Sequence, residues 1–411
     1  MPRVPKVILL IESSRASGRA LLRGIADFSR HHGPWSFSWE PAGLEKIQPL
    51  LETGDADGII LRDVEEAEAI MAYELPTVVV GHRKTEIPGM VNVVTDSEAI
   101  GRMGAEHLLG CGFKHFAFCG YEKTSLENTT WSEIRRESFC QRIREAGFGN
   151  PPHYTLSATG KDWSKEWRLL AHWLSALPKP LGVMACNDDC GQRMMEVCKL
   201  TKLTVPDWVG LIGADNDEVV CGLTDPPMSS IAINFERAGY EAASALDGLM
   251  RRSHVVPPRI TALASHVAAR RSTDFVAAED PHLAKALRLI RDRARSGVTV
   301  NDVAQTSGLS RRTLEKRFRK MLGRSVLNEI RRVRTDQIAQ LLVETDLPVA
   351  QIADLLGFAD TQHIARYFRA GKRVSPLAYR KTYGALGLTD GRSQNGNCFP
   401  QSGVVPVLQR T

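Results

Sequence analysis

The chain has 411 residues, 43% hydrophobic and 24% charged, the balance of a globular protein with two or three cores rather than a fibrous or disordered one. No apolar run approaches the roughly 18 residues of a membrane-crossing helix, and MPRVPKVILLIESS holds too short an apolar run for a secretory signal, so it reads as a first strand of a cytoplasmic protein. The net charge of +6 conceals an asymmetry: from Val276 onward 23 Lys and Arg face 12 Asp and Glu, whereas the first 275 residues carry 30 against 35.

In chain order, the first 270 residues alternate β-branched runs with amphipathic stretches. KVILLI leads into RALLRGIADFSRHH, ADGIIL into a helix ending near Ala72, and PTVVVG into a loop. MVNVVTD leads into SEAIGRMGAEHLLGCG, where Asp96 is the expected N-cap and Glu98 lies in the first turn. HFAFCG, the helix RRESFCQRIREAGF, LGVMAC, the helix DCGQRMMEVCKL and WVGLIGAD continue the series. Strands apolar throughout and separated by helices form parallel sheets covered on both faces. The number of strand–helix pairs predicts two α/β lobes rather than one large sheet.

The eight cysteines include no CxxC pair, and Cys186 and Cys190 have no nearby partner ligands. Buried free thiols in a reducing compartment are expected, with neither metal nor cofactor.

After RRSTDFVAAEDP the strand signals stop and helical periods run from His282 to about Tyr383. From Gly387 the chain is rich in Gly, Ser, Asn, Gln and Pro without periodicity, which predicts a disordered tail. The expected units are 5–275, 282–384 and a tail over 387–411.

Within the helical part, VTVNDVAQTSGLSRRTLEKRF has the layout of a helix-turn-helix. A short helix over Asn301–Ser307 packs through Val303 and Ala304, Gly308 supplies positive φ at the turn, and Ser310 caps the next helix. Leu314, Phe318 and Met321 face inward; Arg311, Arg312, Glu315, Lys316 and Arg319 face outward. A lone run of charge is more often a solvated helix face, but here an internal repeat decides otherwise. Val300, Ala304, Gly308 and Leu309 recur 49 residues later as Val349, Ala353, Gly357 and Phe358. Leu314, Phe318 and Arg319 recur 50 residues later as Ile364, Phe368 and Arg369, so the second turn holds one extra residue. VLNEIRRVRTDQIAQLL supplies a connecting helix.

Two such units at this separation, the second reading VAQIADLLGFADTQHIARYFRAGKRVSPLAYRK, resemble the AraC/XylS DNA-binding domain. Ala370 and Gly371 before Lys372 depart from that family's usual Phe-Lys-Lys/Arg. A recognition helix needs a basic outer face, where Arg reads guanine bidentately and Arg and Lys neutralise phosphates. Arg311, Arg312, Thr313, Lys316 and Arg319 in the first unit, with Thr361, Gln362, His363 and Arg366 in the second, are the candidates.

The α/β part resembles the sugar-binding domain of the LacI/GalR family, itself akin to periplasmic binding proteins, through VVTDSEAIGRMGAEHLLGCG, RRESFCQRIREAGF, VMACNDDCG and VGLIGADNDE. The resemblance implies a two-lobed sensor with its ligand at the strand ends between the lobes. Asn187 and Asp215 match the family's strand-end Asn and Asp, and Arg135 its helix Arg, four residues before Phe139. Glu12 and Arg19 occupy equivalent cleft-edge positions in the first strand–helix turn, and Trp131 either stacks on a sugar face or packs. Each has a structural alternative: Asp215 as a turn cap, Asn187 as a helix cap, Arg135 as a surface arginine.

An α/β sensor followed by an AraC-type domain resembles the XylR-type regulators, with WSEIRRESF, RRSTD and SRRTLEKRF as shared strings. The resemblance implies a pentose-sensing activator, homodimeric through the α/β part, with a DNA operator and RNA polymerase as partners and no membrane contact. Glu12 and Arg62 allow a different hydroxyl pattern or another small molecule. An α/β enzyme is disfavoured, since GxxxxGK[ST], GxSxG, GxGxxG and HExxH are all absent.

Overall fold

The computed structural model describes residues 3–40, 51–52, 54–62, 73–81, 86–87, 89–122, 130–157, 163–252, 257–275, 280–294 and 296–384. The helix expected to end near Ala72 and the tail from Gly387 lie outside the described residues.

The first lobe is built on β1 (Lys6–Leu10), β2 (Ser36–Trp39), β3 (Gly58–Arg62), β4 (Thr77–Val80) and β5 (Val91–Thr95), with α1 (Ala16–His32) between β1 and β2. The second holds α2 (Ser97–Cys111), β6 (His115–Tyr121), α3 (Thr130–Glu145), β7 (His153–Leu156), α4 (Trp163–Ala176), β8 (Leu181–Ala185), α5 (Asp188–Leu200), β9 (Val209–Asp215), α6 (Glu218–Leu223) and β10 (Ser229–Ile233). The chain then returns to the first lobe for α7 (Phe235–Met250) and β11 (Arg259–Ala262), and crosses again for β12 (Ala264–Ala268).

The sheet orders are β11-β5-β4-β3-β1-β2 and β12-β10-β9-β8-β6-β7. The first sheet is parallel throughout, and its strands β3 and β4 are apolar and buried because helices cover both faces. The expectation of parallel sheets needs one correction: β12 runs antiparallel to β10. No crossover helix separates β12 from the hinge, so the strand enters its sheet from the end at which β10 leaves. The edge strand β2 is largely exposed, so SFSW lacks the apolar run that marks its neighbours.

The three crossings between lobes are short and bonded to one another. Asp96 N–H donates to the Ala262 carbonyl (3.0 Å), and Asn234 N–H to the Leu263 carbonyl (2.9 Å). Glycines let the flanking helices approach closely. A Cβ at Gly239 on α7 would lie 2.2 Å from the Leu21 carbonyl oxygen of α1, and one at Gly101 on α2 would lie 2.2 Å from the Arg135 carbonyl oxygen of α3. Gly101 therefore fixes the depth of the helix that carries Arg135.

The helical part comprises α8 (Pro281–Arg293), α9 (Val300–Ser307), α10 (Arg311–Leu322), α11 (Val326–Glu344), α12 (Val349–Leu355), α13 (Thr361–Lys372) and α14 (Pro376–Tyr383). Helices α9–α10 and α12–α13 are the two helix-turn-helix units, with α11 between them. Gly308 (φ 68°) and Gly357 (φ 67°) occupy the same left-handed position at the two turns. Phe318 and Phe368 are fully buried, each in the centre of its own cluster. The Ala370–Gly371 departure has a steric reason: a Cβ at Gly371 would meet the Thr335 side chain on α11 at 2.7 Å. Among the described residues no helix is long and apolar enough to cross a membrane.

Candidate functional site

The carboxyl ends of β1, β3, β6, β8 and β9 meet at the junction of the lobes. From the first lobe come Glu12, Arg15 and Arg62; from the second come Tyr121, Asn187, Asp189 and Asp215. The lobes are latched across this junction. Asp217 accepts from Ala16 N–H at the start of α1 (2.8 Å), its second oxygen caps α6, and Arg15 forms an ion pair with Asp189.

Arg135 projects from α3 beneath the cleft floor, 3% exposed. It donates to the Cys186 carbonyl (2.5 Å), lies 3.8 Å from Asp215 Oδ1, and stacks 4.7 Å from the Trp131 ring centroid. Its Nε is buried without a hydrogen-bond partner. Asp215 ends β9 with φ 105°, a strained backbone conformation for a residue other than glycine. Burial pushes its carboxyl up to about 6; Arg135 opposes this, Asp189 adds to it, and Arg62 and Arg15 also oppose it. Beside it, Asp188 is 2% exposed and its acid is held well above the usual range by burial and by Asp215. Asp188 accepts from Ser230 O–H (2.6 Å) and Asp217 N–H (2.8 Å).

The remaining candidates are placed as follows. Asn187 is the N-cap of α5: its Oδ1 accepts from Cys190 N–H (3.0 Å), and its Nδ2 has no partner among the described residues. Glu12 is ion-paired with Arg62, which also donates to Ser17 Oγ (3.2 Å). Arg19 is turned toward its own loop, donating to the Ser13 and Ser14 carbonyls (2.9 and 3.0 Å), and lies 3.7 Å from Asp217. The structure thus brings Glu12, Arg135, Asn187 and Asp215 together and occupies Arg19 at the rim. Sequence reasoning missed Arg15, Tyr121, Asp189 and Asp217. The strand-end position of Tyr121 and the acidic pair after Asn187 were available signals; Asp217 has none, because its partner is 201 residues away in sequence.

In the helical part Arg311, Arg312, Lys316 and Arg319 are exposed on α10, and Thr361, Gln362, His363 and Arg366 on α13. Thr313 is half-buried, its hydroxyl 2.9 Å from the capping Ser310 Oγ. The His363 ring packs edge-on to Phe358 (centroids 5.2 Å apart). Arg317, half-buried, is paired with Asp280 (2.7 Å). The two basic helices present equivalent outer faces because Leu314 and Phe318 are buried as Ile364 and Phe368 are.

A two-lobed binding fold joined to two helix-turn-helix units defines a ligand-binding, DNA-binding transcriptional regulator and not an enzyme. The family described as "Periplasmic binding protein-like domain" matches residues 105–273, and "Helix-turn-helix domain" matches 303–382. The chain is 28% identical over 384 residues to the "Xylose operon regulatory protein" of Escherichia coli (strain K12), covering 91% of this chain and 96% of that one. It is 32% identical over 113 residues to the "Multiple antibiotic resistance protein MarA" of the same organism, 85% of that protein and 28% of this chain. The solved structure of "xylose-binding transcription activator xylR" matches with a TM-score of 0.60 at 26% identity, covering 93% of this chain and 99% of that one. The likeness to MarA places the helical part in the family of AraC-type DNA-binding domains, and over most of its length the chain is similar to the xylose operon regulators, with a periplasmic-binding-protein-like domain ahead of the helices.

Proposed function

We propose that the chain is a pentose-responsive activator of sugar catabolic genes, acting in the cytoplasm as a homodimer. The sensor spans residues 5–275 and the DNA-binding domain 282–384. The observation that carries the effector reading is the pairing of Arg135 with Asp215 at the lobe junction, with Asn187 Nδ2 and Glu12 beside it. A carboxylate accepts from vicinal hydroxyls, and an amide and a guanidinium donate to them, which is the complement of a polyol. The solved structural relative is a xylose-binding transcription activator, so D-xylose is the first effector to test. Arg311, Arg312, Thr313, Lys316, Arg319, Thr361, Gln362, His363 and Arg366 contact the operator, and RNA polymerase is the partner in activation.

Calorimetry with D-xylose, L-arabinose, D-ribose and D-xylulose tests the effector. Binding of one pentose that Asp215→Ala and Asn187→Ala abolish is the expected result; unchanged binding in both variants removes the site. The choice among sugars falls to the Glu12–Arg62 pair, whose geometry fixes which hydroxyl Glu12 can accept.

The raised Asp215 carboxyl gives the binding a pH signature. A sugar hydroxyl donates to the ionised form, so affinity is full near pH 8 and falls as pH drops through about 6, losing about tenfold by pH 5. The fold moves the other way. A folded-state carboxyl held above its free value takes up its proton more readily than the unfolded chain does, so this group makes the apo protein more stable as pH falls from 7 toward 4. Calorimetric affinity and apo melting temperature measured between pH 5 and 8 should therefore change in opposite directions; a flat affinity profile places the sugar away from Asp215.

A further inference from the structure

The two helix-turn-helix units are fastened to the sensor in different ways. Among the described residues, the side-chain bonds of the first unit and its supporting helices to the sensor go to the second lobe. Arg324 donates to the Gly110 carbonyl at the end of α2 (2.6 Å), and Arg291 pairs with Asp274, which follows β12. The second unit is fastened on both sides of the hinge. Toward the second lobe, Tyr379 O–H donates to the Ser265 carbonyl (2.7 Å), and His266 meets Glu344 (3.0 Å). Toward the first lobe, the start of α7 caps the open end of α14. Asn234 Nδ2 donates to the Tyr383 and Gly384 carbonyls, and Arg237 donates to the Lys381 carbonyl. The carbonyls in the last turn of a helix have no intrahelical donor, and here side chains of the sensor satisfy them.

Asn234 is itself one of the three crossings between the lobes. From α14 the contacts continue to the DNA-reading face. The Tyr379 ring packs edge-on to Phe368 on α13 (5.2 Å), and Arg380 holds the end of α11 through the Leu342 carbonyl (3.1 Å) and the segment before α12 through the Leu347 carbonyl (2.7 Å). Any rotation of α7 against β12 must displace α14, because it is bonded to both. Among the described residues the first unit is bonded to one lobe and has no such obligation.

We propose that α14 carries lobe closure to the second helix-turn-helix unit, with Asn234 and Tyr379 as its positioning residues, while the first unit moves with the second lobe as a fixed reference. This rests on the reading that a sugar binds between the lobes. The effector then changes the spacing of the two recognition helices, and a change in spacing alters DNA affinity only through a difference between the two arrangements.

Asn234→Asp with Tyr379→Phe tests the coupling. Aspartate still caps α7, where Asn234 Oδ1 now accepts from Arg237 N–H (3.1 Å), but it sets a carboxylate oxygen against the Tyr383 and Gly384 carbonyls. Phenylalanine keeps the ring against Phe368 and loses the bond to Ser265. DNA affinity is measured on full-length protein with a fragment selected by the wild type from a random pool, with and without saturating D-xylose. Allosteric coupling is typically about 5- to 150-fold. The double variant should keep D-xylose affinity and sugar-free DNA affinity within about twofold of wild type, while its sugar-dependent change in DNA affinity falls toward unity. A variant with the wild-type ratio overturns the proposal. A wild type that ignores D-xylose overturns the effector reading, and the coupling is then decided by hydrogen exchange in Asp217→Ala, which removes the Asp217–Ala16 tie between the lobes. Exchange at 376–384 should quicken while that at 311–322 stays unchanged; equal behaviour of the two segments overturns the proposal.

Discussion

Arg135→Ala is expected to reduce pentose affinity by at least about 100-fold. A hydrogen bond to a charged group contributes about 1.5–3 kcal/mol, and Arg135 serves the Cys186 carbonyl and the Asp215 carboxylate together. Its removal acts on the ligand twice: a donor disappears, and Asp215 loses the cation that most strongly opposes its raised pKa. The Asp215 carboxyl then titrates above 6, more of it is protonated at pH 7, and it no longer accepts as a carboxylate. Residual binding in the variant should therefore recover as pH rises, over a window displaced upward from that of the wild type. Arg135→Lys keeps the charge but not the planar fork, so it restores the Asp215 titration more fully than the affinity. Calorimetry of the three proteins between pH 6 and 9 separates the two effects; equal affinity in wild type and Arg135→Ala would remove Arg135 from the binding floor.

The parts of this molecule that sequence reading recovers are those whose signal is local. The Leu314–Phe318 and Ile364–Phe368 pairs are four apart because a helix turns every 3.6 residues, and both pairs are buried as their spacing requires. Asp96 caps α2 by accepting from Ala99 N–H (3.1 Å), a contact within three residues. What stayed hidden is non-local. RITA and ASHVA are too short to announce β11 and β12, so the three crossings of the hinge left no trace in the pattern. The latch from Asp217 to Ala16 and the bond from Tyr379 to Ser265 join residues 201 and 114 apart. Asn187 shows a different limit: a helix cap and a ligand donor call for the same residue at the same strand end, and the structure uses its Oδ1 for the first. Tyr379 lies within the string VAQIADLLGFADTQHIARYFRAGKRVSPLAYRK that marks the second unit, and only the assembled fold shows that its hydroxyl reaches the sensor.

Raising salt from 50 to 200 mM should weaken DNA binding by about 500-fold where one chain engages the operator and by about 10⁵-fold where a homodimer does. Arg311, Arg312, Lys316, Arg319 and Arg366 stand exposed on the outer faces of α10 and α13, and each phosphate held contributes about −0.9 to the slope of log K against log salt. A single chain engaging all five gives a slope of about −4 to −5, and a homodimer about twice that, so the slope also reports the number of chains bound. Substitution then assigns roles. If Arg311 or Arg312 holds a phosphate, its replacement by alanine lowers affinity for every sequence alike and reduces the slope by about 1. If it reads a base edge, the loss is about 1–3 kcal/mol on the preferred sequence, and discrimination at that position relaxes. Arg317→Ala is the internal control. Its guanidinium is paired with Asp280, so the slope should stay at the wild-type value even where folding stability falls. Wild-type affinity for Arg311→Ala and Arg312→Ala at every salt concentration would remove α10 from the interface and leave α13 as the sole reading helix.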